Sequence, residues 1–543
     1  MNNNDQFINK LGGYTNIQRV LKTEQHLIFS LYHVPIELQD RVKNYLGEHW
    51  CHIPRTEIDL SKQQLNDLGD KISENFHYRV EDVCEPVHSK YRPLWHISPP
   101  QGLINDPNGF VYFNEQYHLF YQWNPFYCDH SVKAWAHLTS YDLINWYWHP
   151  LALAPSHYYD SHGVYSGHAI VHDEKLWLFY TGNTRIGELR HRQTTQCVAV
   201  SDDGIHFNKL GPVVDDLPPG ATANCRDPKI VKTNHGWEMY LGIQTDTQPL
   251  QARLGRYVSK DLLSWKFDTF IGQELGNFGY MWECPDWFIQ QGQTRCIIGP
   301  QGIDGAYPEI TSPHHNRIFT VTGSKEQPTL SQEQTLDHGF DFYAPQTLAL
   351  PDGRRVMIAW MGVPDEIDQA SAEDGWMHQL TCVRELEWQG EHLYQHPLKS
   401  LENLRQTLNQ LVLDERPTPL DSLQFELQVE LQIGQTIELR YGQYKVEFMY
   451  QEETKELVFD RSKTIMGEAD TIRRLALNGQ PIHLRIFSDT SSLEVFINHG
   501  QFVMSGRIFV NESHVCLCTL GGTCKAQYWP LLAAHSPFNV SAP

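Results

Sequence analysis

Between residues 91 and 395 the apolar positions come in short, strand-length runs separated by polar turns. Five of these runs are alike: YHLFYQW from Tyr117, LWLFYTG from Leu176, WEMYLGI from Trp237, RCIIGPQG from Arg295 and RVMIAWMG from Arg355. Gly182, Gly242, Gly302 and Gly362 follow at intervals of sixty, and Gln122 takes that place in the first copy. Each run is preceded by another: NDPNGFVYFN, YSGHAIVHDE, CRDPKIVKTN, WECPDWFIQQ and YAPQTLALPD. A third element recurs as SYDLINW, SDDGIHF and SKDLLSW. Five copies of a multi-strand unit predict an all-β fold, a five-bladed β-propeller. Common blade repeats span about 40–50 residues, so these blades carry long loops.

The pattern differs outside this region. Residues 1–90 lack the repeat, and SKQQLNDLGDKISENF places Leu65, Leu68, Ile72 and Phe76 on one helical face with Ser61 as N-cap, so a partly helical N-terminal extension is expected. PLKSLENLRQTL spaces Leu401, Leu404 and Leu408 in the same way and predicts a linker helix within 396–416. From 417 to 543 strict alternation, as in SLEVFINHGQFVMSGRIFV with a hairpin turn at Asn498–Gly500, predicts a β-sandwich.

The leading runs begin with polar residues: Asp106, Ser166, Asp227, Glu283 and Tyr343. INDPNGF, residues 104–110, reads by itself as a turn, because Asn, Asp, Pro and Gly supply turn dihedrals and Asn-Gly before alternating residues signals a hairpin. The repeat changes that reading. The first strand of every blade faces the central axis, so three carboxyl groups, Asp106, Asp227 and Glu283, are expected to meet at one mouth of the channel.

Composition narrows the partners. The net charge of −22 over 543 residues argues against nucleic acid or an anionic membrane, both of which need a basic footprint. The start, MNNNDQFINKLGGY, has no basic and apolar leader pattern, and no run of about 18 apolar residues appears. Eleven scattered cysteines without a zinc-like pair suit reduced cytosolic thiols, and Cys516, Cys518 and Cys524 read as core residues. A cytoplasmic protein follows, acting on a small molecule, with no metal or other cofactor expected and the oligomeric state left open.

Like charges held together cannot all ionise cheaply, so a carboxyl cluster yields both an acid and a nucleophile, the pair that glycoside hydrolysis uses across the scissile bond. Neither an H-E-x-x-H metal motif, a phosphate-binding P-loop nor a G-x-S-x-G elbow is present, and Ser166 reads as a hydrogen-bonding residue.

PPQGLINDPNGFVYFNEQYHLFYQWNPF, YSGHA, CRDPKI, WECPDWF, DFYAPQT and AWMGVPD, in this order, resemble glycoside hydrolase family 32, the invertases and fructosidases, over residues 91–390. FYCDHSVKAWAHLTS is most similar to the bacterial members that act on sucrose 6-phosphate. The resemblance implies a propeller followed by a sandwich and a retaining β-fructofuranosidase. It assigns Asp106 as nucleophile, Glu283 as general acid/base and Asp227 as transition-state stabiliser. It also implies substrate-contacting roles for Leu103, Ile104, Asn105, Gln122, Tyr165, Ser166 and Arg226, with Trp135 and Trp360 as sugar-facing aromatics. Cys284 follows the acid/base, as in the family, and is read as tuning its surroundings.

The chain departs from the family pattern at Ala136 in WAH, at His130 in place of a tryptophan, and at His168 in YSGH. His130 and Lys133 lie between Gln122 and Trp135, which makes them the expected phosphate-binding pair. The rival readings are hydrolysis of sucrose or short fructans, fructosyl transfer, and a non-catalytic sugar-binding propeller.

Overall fold

The computed structural model describes residues 3–535 except 46, 82, 84, 304–311, 367 and 467–469. Strands dominate, in an all-β architecture of propeller and sandwich. Five antiparallel sheets follow one another in sequence, and their first strands are Gly102–Phe113, Val164–His172, Ala221–Thr233, Met281–Gln290 and Tyr343–Ala349. Successive first strands lie against one another, and the fifth lies against the first. A short strand, Trp376–Met377, pairs in parallel with Gly102 and Leu103, so a late segment completes the first sheet. The third repeated element is a turn. Asp142, Asp203 and Asp261 each accept two backbone N–H groups from the residues just after them and pair with a serine two positions before.

Each first strand carries an irregularity at the same level. Asn105 and Asp106 stand opposite the single residue Gln122, because the register shifts between Ile104 and Pro107. Similar shifts fall at Arg226/Lys229, Glu283/Asp286 and Tyr343/Gln346, and Ser166 is the extra residue in the second strand. Pro107, Pro228, Pro285 and Pro345 sit at these shifts, where a missing N–H breaks no ladder bond. Asp227, Cys284 and Ala344 take φ of 67°, 47° and 48°, left-handed values that re-aim the neighbouring side chains. INDPNGF is therefore bulged strand, and the hairpin turn follows it at Asn114 and Glu115, with φ of 48° and 61°.

Beneath this level the sheets are tied by a buried polar chain. Lys229 reaches His168 Nε2 at 2.8 Å and Asp286 at 2.7 Å, and Asp286 accepts the Thr347 N–H at 2.7 Å. The unusual His168 is thus a neutral acceptor between sheets, its pKa lowered by burial and by Lys229.

One expectation needs correction. Residues 396–416 form no α-helix: a 3-10 turn, Lys399–Leu404, precedes the strand Asn409–Leu413, which pairs with Cys524–Pro530 inside the sandwich. Leu401 and Leu404 are buried and Leu408 is exposed, a three-residue spacing that one 3-10 turn satisfies. The N-terminal region has the helix Lys62–Glu81 but also a four-stranded antiparallel sheet, ordered Ile17–Lys22, His26–Leu31, Glu48–Pro54, Val42–Tyr45. This module grips the segment entering the second sheet: Trp50 stacks on His162 at 5.7 Å, Arg19 donates to the Ser161 carbonyl, and Asp70 pairs with His157 at 3.3 Å.

The sandwich consists of two six-stranded sheets. It joins the fifth propeller sheet through buried Arg384, which pairs with Asp337 at 2.9 Å and with Glu494 at 2.6 Å. Asp489 accepts the backbone N–H groups of Leu94, Trp95 and His96.

Candidate active site

The irregular level of the first strands encloses a cavity of about 350 Å³ lined by Asp106, Asp227 and Glu283. Its volume is at the small end for ligand sites. Aligned on Pro107, Pro228, Pro285 and Pro345, with Ser166 the extra residue of the second strand, the side chains form two rings. Asp106, Ser166, Asp227 and Cys284 make one ring; Asn105, Tyr165, Arg226, Glu283 and Tyr343, each one residue earlier, make the other. Glu283 is therefore not the positional equivalent of Asp106 and Asp227, as the repeat had suggested. Cys284 is.

In the first ring Ser166 Oγ donates to Asp106 Oδ2. The Cys284 thiol lies 3.5 Å from the same oxygen and 3.8 Å from Asp227 Oδ2, which also accepts the Cys284 N–H at 2.9 Å. Burial, and then the neighbouring Glu283, raises the Asp106 pKa. Burial also raises Asp227; Arg226 opposes it, and Glu283 and Asp106 add to it. The thiol is pushed well up by burial and by all three acids, so it stays a neutral S–H between two carboxyl groups.

The second ring clamps Glu283. Arg226 donates to Oε1 from Nε at 3.1 Å and from Nη2 at 2.7 Å. On Oε2, Gln301 Nε2 is at 2.7 Å and the Tyr343 hydroxyl at 2.9 Å. The Glu283 side chain keeps 18% of its surface exposed against 5% for Asp227, so it is the more accessible to a leaving group or a water.

Of the residues expected from sequence, Asn105, Gln122, Tyr165, Ser166, Arg226 and Trp360 line the cavity together with the three acids. Leu103, Ile104 and Trp135 do not. Leu103 and Ile104 are buried apolar positions of the strand, and Trp135 packs between Phe120 and Tyr180 with its Nε1 on the Tyr165 carbonyl. Trp135 thus acts on the site through backbone contacts, at Tyr165 and at its ladder partner Gln122.

His130 and Lys133 reach the cavity and are bonded to each other, while His130 Nε2 is buried there without a partner. The Lys133 ammonium donates to Asn105 Oδ1 at 2.7 Å and to His130 Nδ1 at 2.6 Å. Lys133 and burial pull His130 down to about 3, so it carries no charge for a phosphate.

Sequence reasoning missed Arg192, Asn224, Gln244, Tyr280, Gln301 and the site role of Tyr343. Tyr343 was signalled by the repeat itself; Asn224 lies on the first strand Ala221–Thr233 but ahead of the repeated motif, and the others sit on second and third strands or loops where no spacing marks them. Among the described residues no cluster of His, Cys, Asp or Glu is arranged to hold a metal, and no helix is long and apolar enough to cross a membrane.

Three carboxyl groups around a sugar-sized cavity on an all-β scaffold define a glycoside hydrolase. The model for the glycosyl hydrolases family 32 N-terminal domain matches residues 96–397, and that for the family 32 C-terminal domain matches 391–527. The chain belongs to glycoside hydrolase family 32. A probable sucrose-6-phosphate hydrolase of Vibrio cholerae is 46% identical over 99% of this chain and 98% of its own. The solved sucrose-6-phosphate hydrolase of Lactobacillus gasseri is 30% identical with a TM-score of 0.76, covering 88% of this chain and 97% of that one. A mutant of the Bombyx mori family 32 β-fructofuranosidase, in complex with sucrose, is also 30% identical, with a TM-score of 0.74 and coverage of 85% and 98%.

Proposed function

We propose that the protein is a retaining β-fructofuranosidase that hydrolyses sucrose 6-phosphate to fructose and glucose 6-phosphate. The observation that carries this is the placement of Asp106, Asp227 and Glu283 around one cavity, together with similarity along the whole chain to the Vibrio cholerae protein. In this reading the five sheets are five propeller blades, and the partly helical N-terminal module, the propeller and the sandwich are three units. The substrate is a small sugar. A phosphorylated sugar places the reaction in the cytosol.

Asp106 attacks the anomeric carbon of the fructosyl unit, and Ser166 aims the carboxylate. Glu283 gives its proton to the departing glucosyl oxygen, then takes one from the incoming water. Asp227 holds fructosyl hydroxyls and follows the charge of the oxocarbenium-like transition state. Arg226, Gln301 and Tyr343 fix Glu283 so that neither step waits on its reorientation. Asn105, Gln122 and Trp360 supply sugar contacts.

The test is steady-state hydrolysis of sucrose 6-phosphate beside sucrose and 1-kestose, with the anomer of the first-formed fructose read by NMR. Retention gives β-fructose, and kcat/KM is highest for sucrose 6-phosphate. Initial α-fructose would overturn the mechanism, and a higher kcat/KM on kestose would move the substrate to short fructans. Predominant trisaccharide formation from sucrose would make the enzyme a fructosyltransferase, and no turnover would leave a sugar-binding propeller.

A further inference from the structure

A phosphorylated substrate raises a problem that the assigned residues do not solve. The chain carries a net charge of −22, so a dianion needs a local cation. Three cations line the cavity: Lys133, Arg192 and Arg226. Arg226 turns Nε and Nη2 to Glu283 and Nη1 to Asn224 Oδ1 at 3.1 Å, which engages every nitrogen of its guanidinium. Lys133 is held by Asn105 and His130, and although His130 Nε2 is itself unpartnered, the imidazole beside that ammonium carries no charge.

Arg192 is different. Among the described residues it forms no ion pair, and its buried Nη1 has no hydrogen-bond partner. A guanidinium N–H buried without an acceptor is costly, and a phosphate oxygen would satisfy it. The guanidinium lies over the Tyr165 ring at 5.7 Å, which leaves its edges free for bidentate contact. Arg192 thus stands over Tyr165, a member of the same ring of side chains as Arg226 and Glu283, and lines the cavity with them. That ring holds the acid that protonates the departing glucosyl oxygen, and the glucosyl group carries the phosphate.

The position is braced. Arg192 pairs in register with Arg185 across the hairpin of Lys175–Ile186 and His191–Ser201. The Arg185 N–H donates to His162 Nδ1 at 3.2 Å, and the His162 ring stacks on Trp50 of the N-terminal module. The module outside the family-matched region therefore supports the arm that presents Arg192.

We infer that Arg192 forms the phosphomonoester subsite of this enzyme, binding the 6-phosphate of the leaving glucosyl group, with Tyr165 as its platform and Trp50–His162 as its brace. This rests on the reading of sucrose 6-phosphate as substrate, and the experiment separates the two. Wild type, Arg192→Gln and Arg192→Lys are compared on sucrose 6-phosphate and on sucrose, and glucose 6-phosphate and glucose are compared as inhibitors of sucrose hydrolysis. In Arg192→Gln the loss of kcat/KM on sucrose 6-phosphate exceeds the loss on sucrose by about ten- to hundredfold, mostly in KM, with Arg192→Lys intermediate. The advantage of glucose 6-phosphate over glucose as inhibitor disappears with it. Wild type that prefers the phosphorylated substrate while Arg192→Gln keeps that preference would overturn the inference alone. Equal losses on both substrates would also overturn it, making Arg192 a support of the cavity wall. Wild type indifferent to the phosphate in both assays would overturn the substrate reading, and the subsite with it.

Discussion

Lys133 and Asp106 stand at the two ends of one hydrogen-bonded chain. Lys133 donates to Asn105, Asn105 to Gln122, Gln122 to Ser166, and Ser166 to Asp106. Every donor points from the ammonium toward the carboxyl group, so the cation fixes the orientation of both amides and of the hydroxyl. A positive end favours a negative one, and Lys133 offsets part of the rise that burial imposes on Asp106.

The chain makes activity depend on the charge of Lys133. Burial pulls this ammonium down to about 8, against the pull of Asp106 and Glu283. It is charged below that pH and neutral above it, so kcat/KM falls as pH rises through about 8. Stability runs the other way. The unfolded lysine titrates near 10.4, so between about 8 and that value the unfolded chain binds the extra proton, and this group's contribution to stability rises with pH. In Lys133→Arg the alkaline limb moves beyond pH 10 at reduced activity, because arginine keeps its charge. A pH–rate profile with an unmoved limb would detach it from Lys133.

Removing either reacting carboxyl group stops turnover without unfolding the protein. Asp106→Ala and Glu283→Ala lower kcat by about three orders of magnitude or more, since each supplies a bond-making or proton-transfer step. Far-UV circular dichroism matching wild type, with kinetics on sucrose 6-phosphate, makes the check. A folded Asp106→Ala protein of near wild-type rate would remove the nucleophile assignment.

Cys284 is a thiol beside three acids, yet it is predicted to be inert. Its raised pKa leaves no thiolate to react. Iodoacetamide at pH 7.5 leaves Cys284 unlabelled in the native protein by mass spectrometry and labels it after denaturation. Cys284→Ala, which removes the S–H between Asp106 and Asp227, lowers kcat/KM about tenfold or less.

The repeat made the three acids legible because proline and bulge recur with them. Pro107, Pro228 and Pro285 mark the same backbone break, and a period near sixty exposes it. The same prolines also carry the off-by-one standing of Glu283, since Cys284 and not Glu283 precedes Pro285, but the near-sixty period alone blurs it because the spacings 227 to 283 and 283 to 343 differ. Trp135 was misplaced for a related reason: a tryptophan suits a core and a sugar platform equally well by composition, and one step of alternation decides between them. Arg192 carried no signal at all, because its role depends on a hairpin folding back over Tyr165.

Trp50 tests the N-terminal module. It is 3% exposed and stacks on both Tyr45 and His162. Trp50→Ala destabilises the protein by about 3–5 kcal/mol, seen as a lower Tm. At temperatures where the variant stays folded, its KM for sucrose 6-phosphate rises more than its KM for sucrose.

The short pairing of Trp376–Met377 with Gly102–Leu103 bears on how the enzyme comes into being. Asp106 lies four residues beyond Gly102, and the approach to its strand is pinned by Asp489, nearly 400 positions away. During synthesis the first sheet of the propeller emerges early but has nothing to close against. The ribosome must pass residue 377 before the first sheet has its last edge, and residue 489 before the entering segment is fastened. Contacts this distant form slowly, since loop closure has to precede them. A prematurely terminated chain therefore carries Asp106, Asp227 and Glu283 without an assembled cavity, although Asp106 is translated first of the three acids.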